Sequence, residues 1–373
     1  MPVNNYPKQV PTSTFAYVGC RTTRERNARG KGINVFRVGN ESGNWEHIQL
    51  LENIMNPSFL TFNHNKTFIY CVHGDSSEVS AFRVNKDTGR LEFINQQSTG
   101  GKNPVHLVVD PTDQFLIVAN YISGTLSVLP INPDGSLEPF SDLIQSSSTL
   151  DYNVNEVDLY AKQGISHPHH IPFNKNGRFL VVPDLGLNKI CTFTLDTTEG
   201  KLIANQPPFG IAPKGSGPRH IDFHPTLPYA YGINELDSTV STYHFDGQEG
   251  RPELLQIQST LPHSIDGNTG AGIAVAPSGR FVYASNRGHD SIVTFRIEES
   301  TGKLTSMDWV STQGKTPRFF ALDPTGEFLY VANEDSDTII TFKVNKETGK
   351  LAPTGQVINT ESPVCIVFSS HTS

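Results

Sequence analysis

One short pattern recurs seven times along the chain: an aromatic residue followed by alternating apolar residues, as in FLIVA and FVYAS. The seven aromatic positions are Phe15, Phe68, Phe115, Phe179, Tyr229, Phe281 and Phe328, with spacings of 53, 47, 64, 50, 52 and 47 residues. Alternation of this kind is typical of β-strands. A repeat of this length predicts an array of equivalent structural units, and this limits the fold more strongly than composition does.

Each unit carries further strand and turn signals. A second aromatic or apolar residue follows the first, usually after 14 residues, and a glycine turn such as Thr88-Gly89 then closes another hairpin. Eleven positions before six of the aromatic residues stand Pro57, Pro104, Pro168, Pro218, Gly270 and Pro317, where another strand begins. Each unit is therefore predicted to contain four strands.

The first unit lacks the upstream strand, and the C-terminus supplies a replacement. Pro363 leads into VCIVF, which can complete the first unit and close a ring. The sequence predicts an all-β fold, a seven-bladed β-propeller with four antiparallel strands per blade and a first blade closed by the C-terminal strand. We expect residues 1–373 to form this single domain, with 1–13 as a flexible N-terminal segment.

Charge and cysteine usage narrow the possible partners. The net charge of −8 has no long block of one sign, which argues against binding to nucleic acid or to an acidic membrane surface. Neither a signal peptide nor an apolar run of 18 residues occurs, and the four cysteines stand far apart. We expect a cytoplasmic protein with reduced cysteines that is a monomer or a weak homo-oligomer.

Two repeated positions should converge at one mouth of the central channel, because strands in a blade alternate in direction. The position directly after the proline or glycine holds Ser58, Val105, His169, Arg219, Ala271, Arg318 and Val364. The position six residues after the aromatic holds Arg21, Gly74, Tyr121, Leu185, Glu235, Arg287 and Glu334.

Consecutive blades thereby offer a general acid/base, a carboxylate and two guanidinium groups. We take His169, Glu235, Arg219 and Arg287 as candidate catalytic residues. We take Arg21, His167, Tyr121 and Arg318 as candidate substrate-binding residues.

Two irregular segments fall on the same face. The segment RTTRERNARGKG carries Arg24, Arg26, Arg29 and Lys31, and the insertion SSSTLDYNVNEVDLYAKQGIS leads into His167. Both are predicted to be loops that wall or cover a pocket. A basic wall favours an anionic substrate, either a small lactone or a polycarboxylate.

A polar residue also recurs five positions after the aromatic, as Asn120, Asp184, Asn234, Asn286 and Asn333. Such oxygens could bind Ca²⁺, but their recurrence favours a repeated turn at the end of a strand. The sequence contains neither GxSxG, nor HExxH, nor a phosphate-binding loop. We therefore expect neither a metal nor an organic cofactor.

Four segments of the chain resemble a known family: GISHPHHIPFNKNGRFLVVPDLG, GSGPRHIDFHP, GINE and YASNRGHDSIVTF. They are similar to the seven-bladed lactonase family, which includes propeller-type 6-phosphogluconolactonases and the fungal 3-carboxy-cis,cis-muconate lactonizing enzyme. The resemblance covers about Thr14 to Ser369. It implies active-site roles for His169 in HPHH, Arg219 in GPRH, Glu235 in NE and Arg287 in SNR.

The leading hypothesis is a metal-independent lactonase acting on an anionic sugar or aldonic lactone. One alternative is a cycloisomerase of the carboxy-muconate type, in which the arginines bind carboxylates and His169 or Glu235 supplies a proton. The other is a propeller that binds proteins and catalyses nothing. Within the lactonase hypothesis, either His169 or Glu235 could be the base.

Overall fold

The computed structural model describes residues 14–39, 43–146 and 162–369. Within these ranges, seven antiparallel sheets follow one another around a ring. The innermost strand of one blade packs on that of the next around a central channel. The predicted all-β, seven-bladed propeller is confirmed. Residues 1–13, predicted as a flexible segment, lie outside the described residues.

Strands are numbered along the chain. Six inner strands are β4 (Pro57–Phe62), β8 (Pro104–Val109), β15 (Pro218–Phe223), β19 (Thr269–Val275), β23 (Pro317–Leu322) and β27 (Pro363–Ser369). The second strands are β1 (Thr14–Cys20), β5 (Phe68–His73), β9 (Phe115–Asn120), β12 (Leu180–Asp184), β16 (Tyr229–Asn234), β20 (Phe281–Arg287) and β24 (Phe328–Asn333).

The two outer layers complete the blades. The third strands are β2 (Gly32–Val38), β6 (Glu78–Val84), β10 (Thr125–Pro130), β13 (Lys189–Asp196), β17 (Thr239–Asp246), β21 (Ser291–Ile297) and β25 (Thr338–Val344). The outermost strands are β3 (Trp45–Glu52), β7 (Leu91–Ser98), β11 (Asp142–Gln145), β14 (Lys201–Ile211), β18 (Arg251–Ser259), β22 (Leu304–Ser311) and β26 (Leu351–Asn359). Short 3₁₀ helices occupy Arg24–Arg26 and Glu334–Ser336.

The two ends of the chain meet in the first blade, whose strand order is β27-β1-β2-β3. β27 pairs with β1 in antiparallel register, with Phe15 opposite Ser369 and Ala16 opposite Phe368. The C-terminal strand thus covers an edge of β1 that would otherwise be open. This confirms the predicted closure.

The fourth blade departs from the pattern at its inner position. Its regular sheet is β12-β13-β14, and the inner segment joins it through two isolated bridges, Pro168 with Asp184 and Phe173 with Leu180. Pro172 and Pro183 face this ladder and each accepts a backbone hydrogen bond there, from Val181 and His169 respectively. Because proline has no N–H to donate, the ladder remains incomplete.

The sequence repeat is explained by a contact between neighbouring blades. The Phe15 ring packs on Gly89, a turn residue of the next blade with φ +72°, and a Cβ on that glycine would overlap the ring. The same contact joins Phe68 to Gly135, Phe115 to Gly200, Phe179 to Gly250, Tyr229 to Gly302, Phe281 to Gly349 and Phe328 to Gly43. The aromatic and glycine signals therefore recur together because each pair links two blades.

Tyrosines two positions after the aromatic reinforce this contact. Their hydroxyls donate to the same glycine carbonyls: Tyr17 to Gly89, Tyr70 to Gly135, Tyr231 to Gly302, Tyr283 to Gly349 and Tyr330 to Gly43, at 2.8–3.4 Å. The last of these bonds joins the seventh blade to the first, so side chains as well as strands close the ring.

The apolar core lies between the blades. One cluster, for example, combines Phe15 and Val35 of the first blade with Ile69 and Phe82 of the second. All four cysteines are buried free thiols within such packing. In the part of the chain described, no helix has the length and apolar character needed to cross a membrane.

Candidate active site

A β-bulge near the start of the inner strand directs side chains into the channel mouth. In β15, Pro218 pairs with Asn234 and His220 with Ile233, so Arg219 is the extra residue. Bulges change the direction of side chains, and they are common beside active sites. The equivalent extra residues in β4, β8, β23 and β27 are Ser58, Val105, Arg318 and Val364.

A backbone hydrogen bond holds the residue six positions after the aromatic beside this bulge. The N–H of Glu235 donates to the carbonyl of Gly217 at 2.7 Å, and the N–H of Glu334 donates to Thr316 at 3.0 Å. Each acceptor directly precedes the proline that starts the inner strand. The carboxylate of a blade is therefore held next to the arginine on the bulge of the same blade.

Residues at the start of the inner strands, together with Arg21, enclose a cavity at the mouth of the channel. Its lining consists of Arg21, Ser58, Phe59, Asn103, Val105, His169, Arg219, His220, Arg318, Phe319 and Val364. Four of the eight predicted site residues, Arg21, His169, Arg219 and Arg318, thus line one cavity. Glu235 and Arg287 join them through ion pairs.

Arg219, Glu235 and Arg287 form a buried cluster, which we call the first triad. Oε2 of Glu235 lies 3.1 Å from Nε of Arg219 and 3.0 Å from Nη2 of Arg287. Lys162 approaches the other carboxylate oxygen at 3.2 Å. Arg219 also donates to the carbonyl of Ala271 at 2.6 Å. Glu235 thus fixes both guanidinium groups at the mouth.

Charge is unevenly balanced in the first triad. Burial by itself would raise the pKa of Glu235, but the charges of Arg287 and Arg219 outweigh burial and lower it. Burial lowers the pKa of Arg219, and the charges of Arg287 and Arg318 lower it further. One carboxylate therefore does not compensate the positive charge in the cluster, and the cavity favours an additional anion.

His169 is a neutral imidazole placed beside this cluster. The side chain is buried, and its ring lies 5.2 Å from that of His220 and 5.6 Å from that of Tyr121. Burial, and then the charge of Arg219, keep the pKa of His169 well below its ordinary value. Its Nδ1 is buried without a hydrogen-bond partner among the described residues. A neutral imidazole can accept a proton.

Three more histidines line the channel next to the mouth. The ring of His170 lies 4.4 Å from that of His220 and 4.1 Å from that of His106. Backbone N–H groups of Ile171 and Ile221 donate to Nδ1 of His106 and His170. Burial is the main cause that lowers the pKa of all three, to about 3 for His170. This cluster was not predicted from the sequence, although each of its members follows a proline by two positions.

Arg318, Glu334 and Arg21 form what we call the second triad. Oε1 of Glu334 lies 3.0 Å from Nε of Arg21, and Oε2 lies 3.9 Å from Nε of Arg318. Asp75 approaches Nη1 of Arg21 at 3.5 Å. The repeat predicted that Arg21, Arg318 and Glu334 lie at one mouth of the channel, but not that they match the first triad.

The predicted residues Tyr121 and His167 form a stacked pair. Their rings lie 4.3 Å apart with an 8° interplanar angle, and Nδ1 of His167 lies 2.7 Å from the carbonyl oxygen of Tyr121. His167 is buried, and Tyr121 contacts His169 at the edge of the cavity. Tyr121 can therefore position His169, and contact of either residue with substrate stays a prediction.

Ion pairs and a hydrogen bond tie the basic loop to neighbouring blades. Arg26 pairs with Asp75, and Arg29 pairs with Asp337 at 2.5 Å and donates to the carbonyl of Glu334. These carboxylates offset part of the positive charge of the loop. Residues 147–161, which make up most of the predicted covering insertion, lie outside the described residues.

The recurring Asn and Asp side chains act as braces between strands. Asn234 donates to Oγ of Ser241 at 3.0 Å, Asn286 donates to the carbonyl of Thr260 at 2.9 Å, and Asp184 accepts from Oγ of Ser166. In the described residues, no three His, Cys, Asp or Glu side chains group in a way that could hold a metal ion.

A family model and curated relatives both match the chain. A model described as lactonase, 7-bladed beta-propeller, matches residues 15–368. A 6-phosphogluconolactonase of Bacillus subtilis is 33% identical over 311 residues, which cover 82% of this chain and 84% of that protein. A 6-phosphogluconolactonase of Formosa agariphila is 34% identical over 300 residues, which cover 78% of this chain and 81% of that protein.

Solved structures agree over nearly the whole chain. A putative 6-phosphogluconolactonase from Bacteroides fragilis superposes with a TM-score of 0.87 at 30% identity and covers 98% of this chain and 100% of its own. The periplasmic gluconolactonase of Pseudomonas aeruginosa superposes with a TM-score of 0.85 at 28% identity, covering 96% of this chain and 99% of its own.

Proposed function

Because this chain belongs to the seven-bladed β-propeller lactonase family, we propose that it hydrolyses an anionic sugar or aldonic lactone of the 6-phosphogluconolactone type at its channel mouth. The observation that carries this proposal is a neutral histidine, His169, in the same cavity as Arg219 of the buried first triad. The reaction needs a base for water and positive charge for an oxyanion. Both are present here.

In the first step, His169 accepts a proton from water while the water oxygen forms a bond to the lactone carbonyl carbon. The carbonyl electron pair moves onto oxygen, and the guanidinium groups of Arg219 and Arg287 stabilise that negative charge. In the second step, the tetrahedral intermediate collapses and the ring C–O bond breaks. Protonated His169 returns its proton to the departing alkoxide, which leaves a hydroxy acid.

The geometry favours His169 over Glu235 as the base. The carboxylate of Glu235 is held by Arg219, Arg287 and Lys162, and the first two lower its pKa despite its burial. The pKa of His169 is lowered as well, so the assignment rests on contacts: both carboxylate oxygens of Glu235 are engaged by cations, whereas Nδ1 of His169 has no hydrogen-bond partner in the described residues. We assign Glu235 the task of positioning the two arginines.

The guanidinium groups supply the positive charge that an oxyanion requires, so the proposed reaction is independent of metal. We also propose a cytoplasmic location, which four buried free thiols support. The substrate is a small molecule that enters the mouth of the channel.

The test is proton release in weakly buffered solution, with chelator-treated protein and phosphorylated, carboxylated and neutral lactones. We expect catalysed acid production that falls by about 10²- to 10⁴-fold in His169→Gln, the usual contribution of a general base. His263→Gln, which removes an exposed histidine, is the matched control.

Each other outcome has a definite meaning. Full activity in His169→Gln would overturn the assignment of the base. If no lactone is opened but the ultraviolet absorbance of a carboxy-muconate decreases, the protein is a lactonizing cycloisomerase. If neither reaction occurs, the proposal fails and a binding role takes its place.

A further inference from the structure

We propose that the second triad binds the non-reacting phosphate group of the substrate while the first triad and His169 act on the lactone carbonyl, an inference that rests on the proposed function. The two triads occupy equivalent positions in the repeat. In each, an arginine on a bulge and a glutamate six residues after the aromatic belong to one blade. The other arginine lies six residues after the aromatic of the next blade.

The bulge arginines of the two triads differ in how many partners they have. Arg219 is 2% exposed and donates to Glu235, to the carbonyl of Ala271 and to His220. The side chain of Arg318 is 22% exposed, and its ion pair with Glu334 is long, at 3.9 Å. Arg318 donates no side-chain hydrogen bond to any residue in the described ranges. A guanidinium group has five N–H donors, so Arg318 can donate to a ligand.

The surroundings of Arg21, the other arginine of the second triad, also favour binding of an anion. Its side chain is 6% exposed and borders the cavity, and its Nε is buried without a hydrogen bond in the described residues, although Glu334 lies 3.0 Å away. Burial, and then the charge of Arg318, lower the pKa of Arg21 to about 10. An incoming phosphate would reduce the repulsion between the two guanidinium groups.

The two triads are close enough to serve one molecule. Arg21, Arg318, Arg219 and His169 line the same cavity. The charge of Arg318 also contributes to lowering the pKa of both Arg219 and His169. The cavity itself holds only about one water molecule, so the substrate would sit over its mouth, with the carbonyl beside His169 and the phosphate beside Arg318.

A purely structural role explains the second triad less well. An arginine that only held Glu334 in place would form a short, hydrogen-bonded ion pair with it. Nε of Arg318 instead lies 3.9 Å from Oε2 of Glu334, and its side chain donates no hydrogen bond in the described residues. Guanidinium groups also match the geometry of phosphate, because they can form two parallel hydrogen bonds.

The experiment compares kcat/KM for two aldonolactones that differ only in a terminal phosphate, with wild type, Arg318→Gln, Arg318→Lys and Arg251→Gln. Arg318→Gln should lower kcat/KM for the phosphorylated lactone by about 10- to 100-fold more than for the neutral lactone, mainly through KM. Arg318→Lys should retain part of the preference for the phosphorylated lactone, because lysine keeps the positive charge but lacks the two parallel N–H donors of a guanidinium group. Arg251→Gln removes an exposed arginine on β18 and should change neither value.

Equal losses on both lactones in Arg318→Gln, or no loss on either, would overturn the inference. Titration calorimetry with the open-chain aldonates, with and without phosphate, separates this failure from failure of the proposed function. If wild type opens neither lactone, the proposed function fails. Phosphate binding by the second triad still predicts that wild type binds the phosphorylated aldonate about tenfold more tightly than the neutral aldonate. Arg318→Gln should lose that preference. Equal binding of both aldonates by wild type would overturn it.

Discussion

Nε of Arg219 lies 3.1 Å from Oε2 of Glu235, and both side chains are almost completely shielded from solvent. A buried charge pair of this kind contributes little net stability, because desolvation opposes the attraction between the charges. Removing only one partner has a large cost, however, because the remaining charge stays buried without compensation.

Glu235→Gln is therefore expected to lower both stability and activity. The free energy of unfolding should fall by about 3–5 kcal/mol, since Arg219 and Arg287 would lose their shared counter-charge. Urea unfolding measures this loss, and kcat/KM reports the displaced arginines. Glu253→Gln, at an exposed position on β18, is the control and should change stability by less than about 0.5 kcal/mol. An equal effect of the two substitutions would contradict the buried triad.

The pH dependence of turnover should reflect the environment of His169. Because burial and the charge of Arg219 lower its pKa, the base form persists at acidic pH. We expect kcat/KM for a neutral lactone to stay level from about pH 8 to below about 6.5, the ordinary pKa of histidine, and to fall only at lower pH. A neutral substrate avoids titration of phosphate itself. An inflection at the ordinary histidine value would contradict the assignment.

The channel histidines should make the fold sensitive to acid. Burial lowers the pKa of His106 and His170, so below about pH 6.5 the unfolded chain binds more protons than the folded protein. Stability then decreases as pH falls, by about 1.4 kcal/mol per pH unit for each such histidine. His106→Phe should reduce the slope between pH 6 and 5 by about that amount, whatever its effect at neutral pH.

Phenylalanine is a suitable substitute because Phe59 and Phe319 occupy the equivalent position in other blades. Urea unfolding at several pH values gives the slope. His263→Gln removes an exposed histidine outside the channel and should retain the wild-type slope. A slope unchanged by His106→Phe would show that this buried histidine does not cause the sensitivity.

The contact between aromatic and glycine can be tested with two alanine substitutions. Gly89 and Gly355 both have a left-handed φ, +72° and +85°, but a Cβ on Gly89 would overlap Phe15, whereas a Cβ on Gly355 has no atom within 4 Å. Gly89→Ala should therefore cost about 1–3 kcal/mol more than Gly355→Ala, because overpacking adds to backbone strain. Denaturant unfolding of both variants isolates the packing contribution. An equal loss of unfolding free energy in the two variants would contradict a tight contact between Phe15 and Gly89 across the blades.

Removal of β27 should open the ring. A chain that ends at Glu361 loses the partner of β1, the buried Ile366 and the Ser362 carbonyl that accepts from the N–H of Arg21. We expect loss of the cooperative thermal transition and of turnover. Calorimetry and the lactone assay test this, with a chain that ends at Ser369 as control. Retained cooperative unfolding in the shorter chain would show that closure is not required.

The repeat made the fold and the location of the site predictable from the sequence. Aromatic, glycine and proline positions recur with fixed offsets, so strand parity alone brought His169 and Arg219 to one mouth. The incomplete fourth blade was harder to foresee, because Pro172 and Pro183 lie on opposite sides of one ladder, where neither can donate a hydrogen bond. Single-strand patterns do not give such a pairing.

The electrostatic interactions of the site could not be predicted from sequence spacing, because they depend on distances between side chains of different blades. The proposal that Glu235 positions the two arginines, and is not the base, depends on distances near 3 Å. The structure was also needed to show that Arg318 has N–H donors without an acceptor in the described residues and only a long ion pair with Glu334. The channel histidines had a usable signal, two positions after the proline, but only the bulge explains why adjacent residues such as Arg219 and His220 both reach the channel.

The bulges also make the mouth of this propeller modular. The bulges of β4, β8, β15, β23 and β27 each present one extra residue, and the backbone hydrogen bonds beside them do not depend on its side chain. Val105 and Val364 occupy this position with apolar groups. A substitution at such an apolar position can therefore bring a charge or a hydroxyl to face the ligand without a change to any strand. New substrate preferences can arise there one residue at a time, while the contacts that hold neighbouring blades together stay intact.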